Sequence, residues 1–425
     1  MSQPFEFSAE KLVFGGDALG HHLGRVIFVP RALPGERLEV EEVRAAKGVV
    51  HALPLRILAA APERIDAPCP YFGRCGGCQY QHFPSDMQTA TKVEILRETL
   101  RRIGKIFWSA EIPSHAASPW NYRNQAQFKV AFTDGGRVEL GFFEAESHKL
   151  VPIDNCLILS PCLNAMVAEL RPPEWSSRLT ACREIDLLAD DSDQRAVVTF
   201  RGSFSAQESE ALAKDCLERC KTLASVVIEG GSGPRTFGEP AMHYCVGDFE
   251  YRVSPGSFFQ ASRFLLPEFV KSVTAAERGG LALDLFAGVG LLSLPLARHF
   301  EQVVAVEGNQ AAAADLAANA KAHLLQNVRA VADTVFDFLR RYARSAPDLV
   351  VLDPPRAGVG SSTLKLISAI RPQRITYVSC HPPTLARDLG FLIAHGYALD
   401  SVEMFDFFPQ TYHIECVARL SAQKP

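Results

Sequence analysis

The chain has 425 residues, of which 47% are hydrophobic and 22% are charged, and its formal net charge at pH 7 is -4. This length exceeds what one hydrophobic core usually organises, so we expect two or three globular domains. The slightly acidic balance argues against a protein that coats nucleic acid nonspecifically, because such binding depends on many phosphate contacts from Lys and Arg. A local basic face is still allowed, and its candidate residues are Lys92, Arg97, Arg101, Arg102 and Lys105.

Two absences bear on where the protein works. No stretch approaches the roughly eighteen uninterrupted apolar residues of a membrane-spanning helix, and residues 1–10 lack the basic and apolar regions of a signal peptide. We therefore expect a cytoplasmic protein with no membrane association and no obligate protein partner. In that setting the eleven cysteines favour metal or catalytic roles over a disulfide framework.

The N-terminal segment, residues 1–60, consists of short apolar runs separated by turn signals. The turn pairs Gly15-Gly16 and Pro34-Gly35 separate runs such as Arg25–Val29 and Arg37–Val43. This pattern predicts a small OB-like β-barrel. Such barrels often bind oligonucleotides, although the fold alone supports that function only by analogy.

The next segment, residues 61–238, begins with a loop rich in Cys, Gly and Pro. Asp86–Ile103 then shows helical periodicity. Alternating apolar and polar residues over Arg123–Val151 and Glu184–Val227 predict antiparallel sheet. We therefore predict a central α+β domain behind the cysteine loop.

The cysteine loop carries a candidate metal site. Cys69, Cys75 and Cys78 fall within ten residues, and Cys156 would complete a set of four. Four thiolates suit an iron-sulfur cluster or a zinc ion. Structural zinc usually shows two close pairs of ligands, whereas the spacing here is three plus one; this spacing and the family resemblance described below together favour a 4Fe-4S cluster. Cys162 and His82 are alternatives to Cys156 as the fourth ligand.

Beyond Pro240 strands alternate with helices, which predicts a mostly parallel, doubly wound α/β sheet over residues 239–425. The predicted strands are Leu281–Phe286, Val303–Val306, Val328–Val331, Leu349–Leu352 and Ile375–Val378. A helix over Leu291–His299 is expected after the first of them. Ligands of such sheets bind outside the carboxyl ends of the strands, and there we look for the functional residues.

A cofactor site is predicted at the first two strand ends. Asp284-Leu285-Phe286-Ala287-Gly288-Val289-Gly290 resembles motif I of the Rossmann-like methyltransferases, whose cofactor is S-adenosylmethionine. Glu307 follows 23 positions later, about where such sheets hold ribose hydroxyls, and Asp333 follows the third strand. A nicotinamide cofactor is disfavoured, because Ser293 stands where the last glycine of G-x-G-x-x-G would be.

A chemical site is predicted at the later strand ends. Asp353 opens the sequence Asp-Pro-Pro-Arg after the fourth strand, and Cys380 follows the fifth. Glu415 is an acid inside an otherwise apolar run, Gln410–Val417, which we predict to be the last strand. Cys380 is a candidate nucleophile, Glu415 a candidate base whose pKa burial would raise, and Asp353 a candidate for contacting a base edge.

Together these motifs resemble the RNA 5-methyluridine methyltransferases, specifically the iron-sulfur branch that includes 23S rRNA uracil-5 methyltransferases. The resemblance rests on Cys75-Gly76-Gly77-Cys78, Asp154-Asn155-Cys156, Ser254–Gln260, Val378-Ser379-Cys380 and His413-Ile414-Glu415. It implies that residues 1–60 are a TRAM domain and that the helix near residues 86–105 packs on the catalytic domain.

The resemblance also implies roles for individual residues. Cys380 would be the nucleophile and Glu415 the base, and the residues expected to bind the cofactor are Gln260, Phe286, Gly288, Glu307, Asp333 and Asp353. Three positions depart from the family pattern: His381 replaces an asparagine, Ser262 stands where an asparagine is frequent, and Leu291 replaces a polar residue.

The predicted function is S-adenosylmethionine-dependent methylation of carbon 5 of a uridine in structured RNA. The RNA is 23S rRNA in the favoured interpretation and the T-loop of tRNA in the alternative. An amino-methyltransferase is disfavoured because methylation of an amine needs no thiol nucleophile. A noncatalytic RNA-binding protein is the remaining alternative.

Overall fold

The computed structural model describes residues 3–231, 233–343 and 346–423. Its N-terminal strands are β1 (Phe5–Ser8), β2 (Lys11–Leu12), β3 (Asp17–His22), β4 (Arg25–Pro30), β5 (Arg37–Ala46) and β6 (Val49–Ala59). They pair in the order β1-β5-β6-β4-β3-β2. The short segment that carries β1 and β2 therefore pairs with β5 at its start and with β3 at its end, so the sheet returns on itself as a barrel.

Three strands of this barrel differ from the sequence prediction. The apolar run at Leu12 forms only the two-residue β2, because a turn begins at Val13 and the Val13 carbonyl accepts from Gly16 N. β1 and β3 were not predicted, since Phe5–Ser8 and Asp17–His22 lack a clean alternation of apolar and polar residues.

Helix α1 (Ser85–Arg102) follows the cysteine loop, close to the predicted Asp86–Ile103. Its residues Leu96 and Leu100 are buried in the same hydrophobic core as Leu385 and Leu389 of the catalytic domain. After α1, the short strand β7 (Ser114–His115) joins the edge of the catalytic sheet. The helix therefore packs on the catalytic domain, away from the core of the central sheet.

The central sheet has its own core. Its strands are β8 (Gln125–Phe132), β9 (Val138–Phe143), β10 (Leu150–Pro152), β11 (Cys182–Ala189), β12 (Ala196–Gly202), β13 (Leu223–Gly230) and β14 (Gly233–Gly238). Helix α2 (Pro161–Glu169), a 3-10 turn (Pro173–Trp175) and helix α3 (Ala206–Arg219) lie among them. The prediction of antiparallel pairing is wrong for β12 and β13, which run parallel, because α3 forms the crossover between them.

The catalytic part begins with the hairpin of β15 (Met242–Val246) and β16 (Phe249–Val253). The strands that follow are β17 (Gly279–Leu285), β18 (Phe300–Glu307), β19 (Val328–Ala332), β20 (Leu349–Leu352), β21 (Arg374–Ser379), β22 (Tyr397–Phe405) and β23 (Glu415–Ala422). The helices are α4 (Leu266–Thr274), α5 (Ser293–Leu296), α6 (Gln310–Ala322), α7 (Val335–Arg340), α8 (Ser361–Ile370) and α9 (Pro382–Ala394).

This sheet has the order β19-β18-β17-β20-β21-β23-β22-β7, with β23 antiparallel to its neighbours. The order reverses beside β17, which is where doubly wound sheets open a crevice for ligands. Two sequence predictions are corrected here. The helix expected over Leu291–His299 is only α5, between turns, and the strand expected over Gln410–Val417 begins at Glu415.

Candidate active site and cysteine loop

Three predicted catalytic residues lie at neighbouring strand ends. Asp353 directly follows β20, Cys380 follows β21, and Glu415 is the first residue of β23. The register pairs Ser379 with Cys416 across β21 and β23, so Cys380 and Glu415 are adjacent at the same edge of the sheet. The fold thus brings together a thiol and two carboxyl groups that are far apart in sequence.

The three groups perturb one another. Burial raises the pKa of the Cys380 thiol to about 11, and the nearby carboxyl groups of Glu415 and Asp353 add to that rise. Glu415 is 4% exposed, and burial and then the charge of Asp353 raise its pKa well above the usual value. A carboxyl group with a raised pKa is suited to accept a proton during a reaction near neutral pH.

Arg356 lies in the candidate site, although the sequence analysis gave it no role. It ends the Asp-Pro-Pro-Arg segment, and its guanidinium lowers the pKa of both Cys380 and Glu415, through a hydrogen bond in the case of Cys380. Arg356 Nη2 also lies 3.4 Å from His413 Nε2. The pKa of His413 is lowered to about 3, first by burial and then by Arg356. His413 is therefore neutral and accepts this contact.

The glycine loop and Glu307 form a preorganised pair at the ends of β17 and β18. Gly288 N donates to Glu307 Oε2 at 2.8 Å, and Asn309 N donates to Glu307 Oε1 at 2.6 Å. Phe286 has a φ of +69°, which turns the chain away from the strand. Gly290 has a φ of +95°, a conformation that L side chains rarely adopt, so glycine is favoured at this turn into the helix.

Asp284 lies beneath this loop with an unpartnered oxygen. Ser293 Oγ donates to Asp284 Oδ2, whereas Oδ1 is buried without a hydrogen-bond partner. Burial raises the pKa of Asp284 to about 7. A cradle of this kind, with glycine backbone, an oriented Glu307 and an orphaned carboxyl oxygen, fits the nucleoside and amino-acid parts of S-adenosylmethionine.

The loop that carries Gln260 is held by a buried acid of α6. Asp315 accepts from Ser254 N at 2.7 Å, from Ser254 Oγ at 2.7 Å and from Ser257 Oγ at 2.9 Å. Gln260 itself is buried at the end of this loop. Asp333 follows β19, and its carboxylate pairs with Arg341. The sheet thus places Asp333, just after the end of β19, beside Glu307 at the end of β18.

The three departures from the family pattern have local roles. His381 caps α9, since Thr384 N donates to His381 Nδ1 at 3.3 Å. The buried Ser262 forms a β-bridge with Arg123 of the central domain. Leu291 is packed in the core on the hairpin side of the catalytic sheet, and its carbonyl accepts from Tyr251 OH. These roles are compatible with an intact catalytic centre.

The cysteine loop forms a second candidate site. One cavity of about 400 Å³ is lined by Cys69, Cys75, Cys78 and Cys156. Burial raises the pKa of Cys75 to about 11 and of Cys78 to about 12, and the neighbouring thiols add to both rises. Gly77 N donates to Cys75 Sγ at 3.4 Å. Within the described ranges, however, no group of three or more metal-binding side chains is arranged around a single ion.

The alternative ligands do not line this cavity. Cys162 is buried on α2, and His82 is buried between Phe72 and Phe83. Of the candidates for a fourth ligand, only Cys156 faces the other three thiols. Asn164 fixes the Cys156 backbone, donating to its carbonyl at 3.0 Å and accepting from its amide at 2.9 Å.

The basic face considered for α1 is only partly exposed. Lys92 is fully buried and pairs with Asp406 at 2.7 Å. Arg97 donates to the carbonyls of Trp108 and Ala110. Arg101 and Arg102 share Glu98, which also binds Lys11 of the barrel. Lys92 and Arg97 thus hold the chain together, whereas Arg101, Arg102 and Lys105 are exposed, and a basic face made of these three stays a prediction.

The doubly wound sheet, its glycine loop and the acid at the end of the next strand define the class of protein: a methyltransferase with the Rossmann-like fold. A solved structure supports this. The Pyrococcus abyssi tRNA (uracil-54, C5)-methyltransferase, in complex with S-adenosyl-L-homocysteine, has the same fold with a TM-score of 0.75 and 24% identity, over 98% of this chain and 100% of that one.

Relatives in sequence place the chain more closely. A family model described as tRNA (uracil-5-)-methyltransferase matches residues 241–423. An RNA methyltransferase of Aquifex aeolicus is 34% identical over 99% of both chains. A 23S rRNA (uracil(1939)-C(5))-methyltransferase of Alkalilimnicola ehrlichii is 34% identical over 98% of this chain and 96% of its own. The chain therefore belongs to the S-adenosylmethionine-dependent RNA (uracil-5-)-methyltransferase family.

The described residues include no helix that is long and apolar enough to cross a membrane.

Proposed function

We propose that this enzyme methylates carbon 5 of a uridine in 23S rRNA through a covalent bond between Cys380 and the uracil ring. The observation that carries the proposal is the meeting of Cys380 and Glu415 at adjacent strand ends, beside the glycine loop. Carbon 5 of uracil is a poor nucleophile, so it must first be made electron-rich, and its proton must later be removed. A thiol and a buried carboxyl group on one crevice supply both functions.

The steps follow from these two residues. The Cys380 thiolate adds to carbon 6, and the electrons of the 5,6 double bond move into an enolate. Carbon 5 then takes the electrophilic methyl group that S-adenosylmethionine supplies when bound. Glu415 removes the proton from carbon 5, the double bond re-forms, and the bond between carbon 6 and Cys380 Sγ breaks to release the thiolate. Asp353, at the neighbouring strand end, would contact the uracil edge.

The residues proposed to bind S-adenosylmethionine are Gln260, Phe286, Gly288, Glu307, Asp333 and Asp353. Support comes from the oriented Glu307 carboxylate and the orphaned Asp284 oxygen under the loop. Glu307 is suited to the ribose hydroxyls. Asp333 would contact the adenine base of the cofactor, next to the ribose.

The RNA class is inferred from the relatives. The proteins named as acting on 23S rRNA match this chain over nearly its whole length, which favours rRNA. The alternative, tRNA, is favoured by the description of the family model and by the Pyrococcus abyssi enzyme. We assign RNA binding to the barrel, as a TRAM domain over residues 1–60, with the central domain at 61–238 and the methyltransferase domain at 239–425. A cytoplasmic location stays a prediction.

We assign a 4Fe-4S cluster to Cys69, Cys75, Cys78 and Cys156. The four thiols line one cavity, and their three-plus-one spacing together with the family resemblance favours a cluster over zinc. The bond from Gly77 N to Cys75 Sγ suits a thiolate ligand. When present, the cluster would hold the loop to the central domain, because the reaction needs no electron transfer.

Two matched variants test this assignment. Anaerobically purified Cys156→Ser should contain less iron and sulfide than the wild type and should lose the visible absorption of the cluster. Cys162→Ser removes a thiol six residues away, outside the cavity. This variant should keep the wild-type content of iron and sulfide and the visible absorption of the cluster. Equal iron content in the two variants would refute Cys156 as the fourth ligand.

The function is tested with labelled S-adenosylmethionine and separate pools of unmodified 23S rRNA and tRNA, followed by mass spectrometry of the digested RNA. Labelled 5-methyluridine in the rRNA pool alone is the expected result, and it should vanish in Cys380→Ala. Labelling of the tRNA pool alone would replace the proposed substrate with the alternative. Full activity in Cys380→Ala would refute the covalent mechanism.

A further inference from the structure

The segment between β22 and Glu415, residues 406–414, is irregular yet held by buried polar contacts. Gln410 has a φ of +69°, a conformation that residues other than glycine adopt only when their surroundings impose it. Its side chain is 3% exposed. Because Glu415 is the first residue of β23, the path of this segment determines where the carboxyl group lies. We therefore define residues 406–414 as the base loop.

Gln410 is bound by two segments from outside the catalytic domain. Its carbonyl accepts from Gln79 N at 2.9 Å and from Tyr80 N at 3.0 Å. Its own amide donates to Gln88 Oε1 at 2.8 Å, and Gln88 Nε2 lies 3.0 Å from Gln410 Oε1. Gln88 is fully buried on α1, and its Nε2 also donates to the carbonyls of Tyr80 and Phe83. One side chain thus joins the cysteine loop, α1 and the base loop.

Further contacts hold the rest of the base loop. Thr89 Oγ1 lies 3.2 Å from Asp406 Oδ2, and Lys92 Nζ donates to Asp406 Oδ1 and to the Phe408 carbonyl. Tyr122 OH donates to the Pro409 carbonyl at 3.1 Å. Almost every residue from Asp406 to Gln410 is therefore bonded to α1, the cysteine loop or the segment that leads into β8.

We propose that Gln88 and Gln410 are positioning residues, which hold Glu415 at the distance and direction needed to take the proton from carbon 5. The inference rests on the proposed function and extends it to residues outside the catalytic domain. Gln79 and Tyr80 directly follow Cys78, so the same contacts couple the cysteine loop to the base. Misplacing a base by about 1 Å can slow a step by about a hundredfold without changing binding.

The proposal predicts which step fails. If Glu415 is displaced, Cys380 still adds to carbon 6 and carbon 5 is still methylated, but the carbon 5 proton stays in place and the thiolate cannot leave. A covalent complex of protein and RNA then accumulates. A purely structural role would instead reduce adduct formation and turnover together, because fewer molecules would be folded.

The test uses full-length, cluster-containing Gln88→Met, which keeps the side-chain length and removes the two hydrogen bonds to Gln410 together with those to the Tyr80 and Phe83 carbonyls. We expect kcat to fall at least tenfold, S-adenosylmethionine affinity to stay unchanged, and the adduct to accumulate on denaturing gels. The matched control is Asn327→Leu, which also removes two amide-to-carbonyl bonds in the catalytic domain but lies before β19, at the opposite end of the parallel strands. This control variant should accumulate no more covalent protein–RNA adduct than the wild type.

Thr89→Val removes a single bond to the base loop and should give the same effect more weakly; it decides the question if Gln88→Met does not fold. Wild-type kcat in the variants, or loss of turnover without adduct, would overturn the positioning role. A wild type that forms no 5-methyluridine would overturn the proposed function and this inference together, so the two failures are distinguishable.

Discussion

Cys380 lies in surroundings that disfavour its own reactive form. Burial and two carboxyl groups raise its thiol pKa to about 11, and Arg356 is the nearby cation that opposes them. The thiolate is the nucleophile, so the free enzyme holds only a small reactive fraction at neutral pH. Arg356, which is exposed at the rim of the crevice, is therefore the residue on which activation of the thiol depends.

Replacing Arg356 should slow every reaction of the Cys380 thiolate. Below a pKa of about 11 the thiolate fraction rises about tenfold per pH unit, so alkylation of Cys380 by iodoacetamide should accelerate steadily from pH 7 to pH 10. In Arg356→Met we expect the pKa of Cys380 to rise further, so the whole curve of alkylation rate against pH should move to higher pH by about one unit. Mass spectrometry of the Cys380 peptide follows the rate.

The control for this prediction is Arg340→Met, which removes an exposed arginine whose ion pair is with Asp337 on the same helix. Its Cys380 peptide should be alkylated at the wild-type rate at each pH. An unshifted curve in Arg356→Met would mean that Arg356 does not activate the thiol.

At the scale of elements, α1 contributes a buried ion pair to the catalytic domain. The side chains of Lys92 and Asp406 are 0% and 2% exposed, and burial lowers the pKa of Lys92 against the opposing effect of Asp406. A buried pair of this kind need not stabilise the fold more than apolar residues would. Removing one partner is costly, because it leaves the other charge buried and uncompensated.

Lys92→Met should therefore lower the free energy of unfolding by about 3–5 kcal/mol, as measured by urea denaturation at pH 7. The double variant Lys92→Met, Asp406→Asn should lose less than the single one, because no isolated carboxylate remains. A double variant less stable than Lys92→Met would contradict this account.

Elements with strong local signals were predictable from the sequence. The strands β17 to β21 and helix α1 lie close to their predicted positions, because their apolar spacing matches the period of each structure. The prediction of a strand over Gln410–Val417 was wrong at its start, for a reason that is not local. Gln410 takes a left-handed conformation that is fixed by Gln88, a residue 322 positions away.

The candidate site was predictable to the same extent. Cys380, Glu415 and Asp353 each stand in a short motif at a strand end, so the topology alone brings them together. Of the partners that set their charge and direction, Arg356 ends one of these motifs without any sign of which group it faces, and Gln88 stands in no motif. Their roles depend on distances between segments, which a single sequence does not contain.

At the scale of the whole molecule, the barrel and the catalytic sheet share one hydrophobic core. Leu38 of the barrel, Leu96 of α1 and Leu283 of β17 belong to the same buried cluster, whereas Leu187 of the central sheet belongs to a separate one. Sheets with a common core unfold together, because neither can expose its apolar face alone. The division into folding units should therefore differ from the division along the sequence.

Calorimetry should show the barrel and catalytic sheet in one transition and the central sheet in another. We expect S-adenosylhomocysteine, the product of the proposed methyl transfer, to bind only the folded catalytic domain and so to raise the midpoint temperature of the first transition. Leu38→Ala should lower the midpoint temperature of that same transition, although Leu38 lies in the barrel. The decrease should correspond to a loss of about 2–5 kcal/mol in the free energy of unfolding. Leu187→Ala deletes the same buried atoms in the central sheet and should lower only the second transition. If Leu38→Ala instead moved a transition that is insensitive to S-adenosylhomocysteine, the barrel would be an independent unit, and its contacts with α1 would contribute little to the stability of the catalytic domain.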